Sequence, residues 1–163
     1  MKKGFTLIEM VATLLLVAIL AVSVAISLLP MAQSLMQVRD NASTVQKARL
    51  AMSRMSREFT TITNVVAGDS HSISYVFLDP SATPHPRTLS WGGAPGDPLQ
   101  LEGVSLSDDV SDFELRYYAE VGASPQSSWQ ADSRIIEVLL RSQAVGTVYT
   151  NHIVPRNILM ETP

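Results

Sequence analysis

Cysteine is absent from this chain of 163 residues, so disulfides and thiolate metal sites are excluded. The folded part must therefore rest on its hydrophobic core alone. Histidine is scarce, and His71, His85 and His152 lack the i,i+4 spacing of a metal site, so surface positions are predicted for all three. The formal net charge of −3 offers no overall basic field for nucleic acid, and none is predicted as a partner.

Motifs for catalysis and cofactor binding are also absent from the sequence. No G-x-S-x-G elbow surrounds any serine. The loop GGAPGDP is not followed by the Lys-Ser/Thr pair of a phosphate-binding loop. The acidic residues Asp108, Asp109 and Asp112 lack the Gly and distal Glu of a calcium loop, so turn and capping roles are predicted for them. These absences indicate a structural protein without a cofactor or a metal, not an enzyme.

Charge is missing altogether from Met10 to Leu29, a run of Leu, Val, Ala and Ile. As a helix its 20 residues span ~30 Å, the thickness of a bilayer core. Lys2 and Lys3 precede the run and the next basic residue is Arg39, so the positive-inside rule places the N-terminus in the cytoplasm. A cleaved signal peptide is the alternative, but its apolar region is ~7–15 uncharged residues followed by a small-residue cleavage site.

Glu9 is the exception near the start of this apolar segment. A carboxylate costs roughly 2.5–3.5 kcal/mol at the centre of a bilayer and less near its edge, and it normally has a partner. The apolar run offers no basic residue. If the chain were cut after Gly4, Phe5 would carry a new α-amine that could pair with Glu9 of a neighbouring subunit. A plain uncleaved signal anchor gives no reason for Glu9.

The segment KKGFTLIEMVATLLLVAILA closely resembles the N-terminus of type IV prepilins and type II secretion pseudopilins. The resemblance implies that a prepilin peptidase/methyltransferase cuts between Gly4 and Phe5 and methylates the Phe5 amine. It implies that the apolar helix is first a membrane anchor and then the filament core. It also implies that Glu9 sets the register of neighbouring subunits, and Thr6 matches the same pattern.

Beyond the apolar run the helical pattern continues. Pro30 predicts a kink, and Gly68-Asp69 predicts the end of the helix. An apolar stripe is spaced by three and four residues, which indicates an amphipathic helix with a solvated basic opposite face. The stripe consists of Met31, Leu35, Val38, Ala42, Val45, Ala48, Met52, Met55, Phe59 and Ile62. The resulting division is a leader at 1–4, a transmembrane helix at 5–29, an amphipathic extension at 30–66 and a β-rich domain at 67–163.

The second half of the chain alternates with the period of strands. Five to six strands are predicted, in HSISYVFL, RTLSW, LQLEGV, DFELRYY, RIIEVLLR and TVYTNHIV. Residues 79–98 predict a long irregular loop interrupted only by RTLSW. Trp91 and Trp129 are interpreted as lids on the core in preference to anchors for a partner. The expected fold is α+β, with one antiparallel sheet packed on the exposed half of the helix.

The order of VSDFELRYY, a Trp-containing loop, RIIEVLLR and HIVPRNI also resembles J-type minor pseudopilins, although the chain is short for that type. Glu9 argues against the K type. The resemblance implies a subunit at the tip of a periplasmic pseudopilus, held first in the inner membrane, with I- and K-type partners, major pseudopilins and an inner-membrane assembly platform. A minor type IV pilin for adhesion, twitching or DNA uptake remains open. So does a signal-anchored periplasmic binding module or hydrolase.

Overall fold

The structure is a computed structural model that describes residues 6–78, 81, 83–143 and 146–156. It contains one helix and eight strands within those residues. The chain divides into two compact units, residues 1–40 and residues 41–163, and the helix α1 (Leu7–Thr60) contributes to both. The α+β class predicted from the sequence is confirmed, because a long apolar N-terminal helix precedes antiparallel sheets on which its C-terminal part packs.

In the first unit, α1 is apolar on every side from Met10 to Leu28. Its large apolar side chains from Leu7 to Leu28 are between 55% (Ile19) and 84% (Leu7) exposed. A helix without a polar face belongs in a membrane or in a core made by several chains. Within the described residues, α1 is the one helix long and apolar enough to cross a membrane. It continues through Pro30 as one element.

In the second unit, α1 has the predicted amphipathic stripe, but the stripe is shorter than expected. Ala48, Ala51, Met55 and Phe59 are buried at intervals of three or four residues, whereas Arg49, Arg54 and Arg57 are exposed. The upper stripe positions Met31, Leu35 and Val38 are 59–64% exposed. Within the second unit the buried part of the predicted stripe runs from Ala48 to Phe59, and periodicity alone does not tell which turns have a sheet to pack on.

The predicted helix end at Gly68 was also wrong. The helix ends at Thr60, and Ile62–Gly68 forms the strand β1. Thr60 Oγ1 donates to the carbonyl of Ser56 at 2.6 Å, and Thr61 N donates to the carbonyl of Glu58 at 3.1 Å, which closes the last turn. The β-branched residues that follow favour extended backbone. The predicted helical extension to residue 66 is thus a helix followed by a strand.

The first sheet has five antiparallel strands in the order β1–β5. They are β1 (Ile62–Gly68), β2 (Ser72–Leu78), β3 (Pro84–Ser90), β4 (Leu99–Leu101) and β5 (Val104–Ser107). LQLEGV was predicted as one strand, but it spans the β4–β5 hairpin. Glu102 (φ 54) and Gly103 (φ 75) make a two-residue turn there. The Glu102 side chain accepts a hydrogen bond from Thr88 N, which anchors this turn to β3.

Strand β3 begins at Pro84, inside the region predicted to be an irregular loop. It pairs with β2 along its whole length but with β4 only at Leu89 and Ser90. On the outer side of β3, Glu102 N donates to the carbonyl of Thr88, and Thr88 N donates to the Glu102 carboxylate. By alternation the backbone of Pro84 and Pro86 also faces outward. Proline there removes no bond to β2 and blocks the open edge. The prolines had been interpreted as the sign of a loop, but proline is common both in irregular loops and at the edges of sheets.

The second sheet has the order β6–β7–β8, with β6 (Val110–Tyr118), β7 (Ile135–Ser142) and β8 (Val148–Ile153). One sheet of five to six strands was predicted, and two sheets with eight strands are observed. The three predicted strands of this second sheet are confirmed to within a few residues. Pairing between strands depends on contacts distant in sequence, so alternation identified the strands but not their grouping.

The core lies between the helix and the two sheets of the second unit. Phe59 of α1 meets Tyr75 of β2 edge to face, at 5.6 Å between ring centroids. Phe113 and Tyr117 of β6 are fully buried in the same cluster. Both tryptophans act as lids, as predicted. Trp91 is buried and its Nε1 donates to the carbonyl of Asp97 at 3.1 Å, and Trp129 packs on Tyr117 at 5.6 Å.

Candidate assembly segment

The start of α1 holds two of the predicted site residues, Thr6 and Glu9. The carbonyl of Thr6 accepts hydrogen bonds from the N–H groups of Glu9 (3.1 Å) and Met10 (3.2 Å), which opens the helix. The Glu9 carboxylate accepts a long hydrogen bond from Thr6 N at 3.5 Å. T-x-x-E is the sequence of a capping box, and this contact is its reciprocal half. Gly4 and Phe5, the predicted cleavage and methylation site, lie outside the described residues.

The charge of Glu9 is not neutralised within the described part of the chain. Among residues 6–78 and the later described segments, no Lys, Arg or His nitrogen lies within 4.0 Å of its carboxylate. The Thr6 contact supplies one weak hydrogen bond and no opposite charge. A carboxylate in an apolar helix needs such a charge to offset its desolvation. The first turn of α1 therefore carries a carboxylate that still needs an opposite charge.

The remaining polar side chains of the apolar helix are satisfied internally. Thr13 donates to the carbonyl of Met10, Ser23 to that of Ile19 and Ser27 to that of Ser23, each at 2.9 Å. Hydroxyls bonded in this way leave no unsatisfied donor toward lipid or a neighbouring helix. These three residues were not predicted as part of the site, although a hydroxyl three or four residues after a helical carbonyl is a recognisable pattern in the sequence. Because these hydroxyls are bonded within the helix, Glu9 differs from them as a charged group on an otherwise apolar surface.

The second unit holds a charged cluster where α1 meets the first sheet. Glu58 pairs with Arg87 of β3 at 2.8 Å and with Arg54, four residues earlier in α1, at 3.8 Å, so the sheet residue makes the closer contact. Tyr75 Oη donates to Glu58 at 3.4 Å, and burial, with the nearby Glu58 charge, raises the pKa of the Tyr75 phenol. Arg87 also lies over the Phe77 ring at 4.6 Å. These contacts fix the helix end to β2 and β3.

The acidic residues 108, 109 and 112 do not converge on one site. Lys47 donates to Asp108 at 2.7 and 3.0 Å, and this hydrogen bond lowers the pKa of the Asp108 carboxyl. Asp109 Oδ2 is buried and has no hydrogen-bond partner among the described residues, and Asp112 is exposed. Within the part of the chain that the structure describes, no three His, Asp or Glu side chains are grouped to hold a metal.

All three histidines are exposed, as predicted. His71 packs edge to face on Trp91, and His85 stacks on Phe77. The Nε2 of His152 lies 3.2 Å from Glu137 of β7. None of these contacts places a histidine beside a nucleophile.

Comparison with known proteins bears on the N-terminal segment. Residues 1–25 match the family model described as the prokaryotic N-terminal methylation motif. No curated protein and no solved structure is similar enough to the chain to match it. Proteins with this motif are structural subunits that a prepilin peptidase processes and that assemble with other pilin-like subunits. The motif at residues 1–25, followed by an apolar helix and antiparallel sheets, supports a type IV pilin-like protein with a prepilin cleavage motif.

Proposed function

We propose that the chain is a minor pseudopilin of a type II secretion system, a non-enzymatic subunit near the tip of the periplasmic pseudopilus. The observation that carries this proposal is the start of α1, where Glu9 has no opposite charge within 4.0 Å among the described residues. Glu9 precedes a run from Met10 to Leu28 that is apolar on every side. The match of residues 1–25 to the methylation motif supports processing at this end. The J-type resemblance of the β-rich region supports the choice of a minor pseudopilin over a minor type IV pilin.

Processing supplies the charge that Glu9 lacks. Cleavage between Gly4 and Phe5 leaves a protonated amine on Phe5, and N-methylation keeps that positive charge. The amine of one subunit then pairs with Glu9 of its neighbour, while the capping contact with Thr6 holds the first turn in shape. The subunit waits in the inner membrane with residues 30–163 in the periplasm. Its I- and K-type partners and an assembly platform draw it into the filament.

Extraction from the membrane exchanges one apolar environment for another. Residues 10–28 leave lipid tails and pack against equivalent helices, so the hydrophobic contribution changes little. The pairing of Glu9 in a medium of low dielectric is then large enough to select one register. This argument separates insertion, which depends on the apolar surface, from assembly, which depends on the carboxylate.

The proposal is tested by mass spectrometry and by assembly of Glu9 variants. In cells with the processing machinery we expect a mature chain that begins at methylated Phe5. Glu9→Val should insert normally but enter filaments at least ~10-fold less well, the equivalent of about 1.4 kcal/mol. Glu120→Ala, in an exposed loop, is the matched control and should assemble normally.

Three results would contradict parts of this proposal. An intact Met1 would support a plain signal anchor. Normal assembly of Glu9→Val would remove the pairing step. Loss of surface pili on deletion, with secretion intact, would support the minor type IV pilin instead.

A further inference from the structure

Strand β8 is the last strand of its sheet, and its outer edge has no partner within the described residues. It pairs with β7 over residues 148–153 and with no other strand there. An unpaired edge presents a row of N–H and C=O groups that can accept another strand. Proteins usually block such an edge, so the state of each edge in this molecule is informative.

The direction of the free groups follows from the β7–β8 register. Ser142 N donates to the carbonyl of Thr147 at 3.2 Å, and these two residues continue the register of the hairpin. Bonded and non-bonded pairs alternate in an antiparallel ladder, so residues 149, 151 and 153 bond to β7. The residues whose backbone N–H and C=O groups point away from β7 are Val148, Thr150 and His152. Their three N–H and three C=O groups have no partner among the described residues.

The other sheet edges in the described residues are blocked. Strand β1 carries two irregularities, between Ile62 and Asn64 and between Val65 and Ala67. The open side of β3 carries two prolines, and β5 is four residues long. The outer side of β6 is covered, since Leu115 N donates to Ser70 and Tyr117 exchanges two bonds with Gln126. Strand β8 has no proline, lysine or bulge. Among the described strands it alone remains open to an added strand.

A groove runs beside this edge and defines what the added strand must carry. It measures about 420 Å³ and is lined by Arg49, Met52 and Ser53 of α1 and by residues 148–151 of β8. Met52 and Tyr149 are half-buried and offer an apolar wall. Arg49 is exposed and has no carboxylate within 4.0 Å among the described residues. A strand here would place alternate side chains in the groove, one apolar and one acidic.

We propose that β8 accepts an extended segment, with an acidic residue facing Arg49, from a different pilin-like subunit. The inference rests on the proposed assembly function and adds the surface through which one partner binds. A second copy of this chain is a poorer match, because β8 contains no Asp or Glu to neutralise Arg49. Pairing β8 with β8 would also close a two-fold dimer, and a closed dimer offers that edge to no further subunit.

The test uses the full chain in detergent, co-expressed with one other pilin-like subunit of the same genome at a time. Hydrogen exchange is measured at the amides of Val148, Thr150 and His152. We expect one subunit to slow exchange at these three amides at least ~10-fold, since each amide gains a hydrogen bond. Residues 149, 151 and 153 are already bonded to β7 and should change less.

Two pairs of variants separate the edge from the rest of the surface. The N–H of Thr150 points away from β7, so Thr150→Pro removes one outward donor and breaks no hydrogen bond to β7, as Pro84 and Pro86 do on β3. It should weaken binding at least ~10-fold. Thr150→Val keeps the N–H and should bind within about twofold of the parent chain. Arg49→Glu, on an exposed helix face, should weaken binding at least ~5-fold, whereas Arg49→Lys should retain most of it.

The proposal is overturned if a subunit binds without slowing exchange at these amides, or if no co-expressed subunit binds. It is also overturned if protection rises with the concentration of this chain alone, which would indicate a second copy. The proposed function has its own readouts. A Thr150→Pro chain that begins at methylated Phe5 and supports normal secretion would remove the role of β8 and leave the pseudopilin assignment standing.

Discussion

The two ends of α1 show how one helix can be built for two environments. From Leu7 to Leu28 the large apolar side chains are exposed on every side of the helix, whereas from Ala48 to Phe59 the buried apolar side chains form one stripe. The N-terminal part has no protein core of its own and depends on lipid or on other chains. The C-terminal part has its partner in the same unit. Stability and assembly are therefore expected to respond to different residues of one element.

Core substitutions should give the largest contrast between the two parts. Phe59→Ala deletes a ring that is completely buried against Tyr75, and we expect it to lower the free energy of unfolding of the second unit by about 3–5 kcal/mol. Leu16→Ala, at a position 59% exposed, should change it by less than about 0.5 kcal/mol. Urea unfolding of the full chain in detergent, followed by tryptophan fluorescence, measures both. Both tryptophans lie in the second unit, so the signal reports on that unit.

Equal effects of these two substitutions would contradict the division. A large effect of Leu16→Ala would mean that the apolar helix contributes to the fold of the second unit.

Acid should sharpen the comparison, because residues 10–38 contain no titratable side chain. Asp69 follows β1 and is held by the N–H groups of His71 and Ser72, each at 2.7 Å. Burial tends to raise the pKa of Asp69, but these hydrogen bonds outweigh burial and lower it below 3.8. A depressed pKa in the folded state means that the stabilisation is present above the unfolded value and is lost as the pH falls through the folded value.

We therefore expect the second unit to lose stability as the pH is lowered from about 4 to 2, the range around and below the ordinary aspartate pKa. Asp69→Asn should reduce that loss, while the helical signal of residues 10–38 stays constant. Tryptophan fluorescence across this pH range reports on the second unit, and the helical circular dichroism that remains after that unit has unfolded reports on residues 10–38. Parallel acid curves for the parent chain and Asp69→Asn would show that the Asp69 turn is not a source of the acid sensitivity.

The smallest effect is expected for the exposed ion pair that links α1 to the loop before β6. Lys47 and Asp108 are 2.7 Å apart, but their side chains are 47% and 62% exposed. Exposed pairs contribute about 0.2–1 kcal/mol. Lys47→Ala should lower the free energy of unfolding by that amount at low salt, and by less in 1 M NaCl. A loss above about 2 kcal/mol, or one that salt does not reduce, would show that Lys47 contributes through packing and not through charge.

Much of the fold was predictable wherever the pattern was local and unambiguous. The uncharged run after Glu9 predicted a helix of membrane length, and alternation located β2, β6, β7 and β8 to within a few residues. The errors fall where one local pattern fits two structures. Ile62 and Val65 continue a helical spacing, yet they face the core from β1. Glu102-Gly103 did not predict a hairpin, because asparagine or aspartate before glycine is the familiar signal for such a turn.

The assembly segment was predictable for a different reason. A carboxylate inside an apolar run is costly wherever the run lies, so Glu9 could be singled out without knowing the fold. The proposed edge of β8 could not. The proposal depends on the direction of the β8 backbone groups and on the blocking of the other described edges. The sequence VYTNHI shows neither of these.

The sequence by itself determined the apolar helix, its lone carboxylate and most of the strands, because charge, hydropathy and alternation act over a few neighbouring residues. The tertiary structure decided where the helix ends, how eight strands divide into two sheets and which strand edge remains open. Those outcomes depend on hydrogen bonds and packing between residues far apart in the chain, so only the folded molecule specifies them.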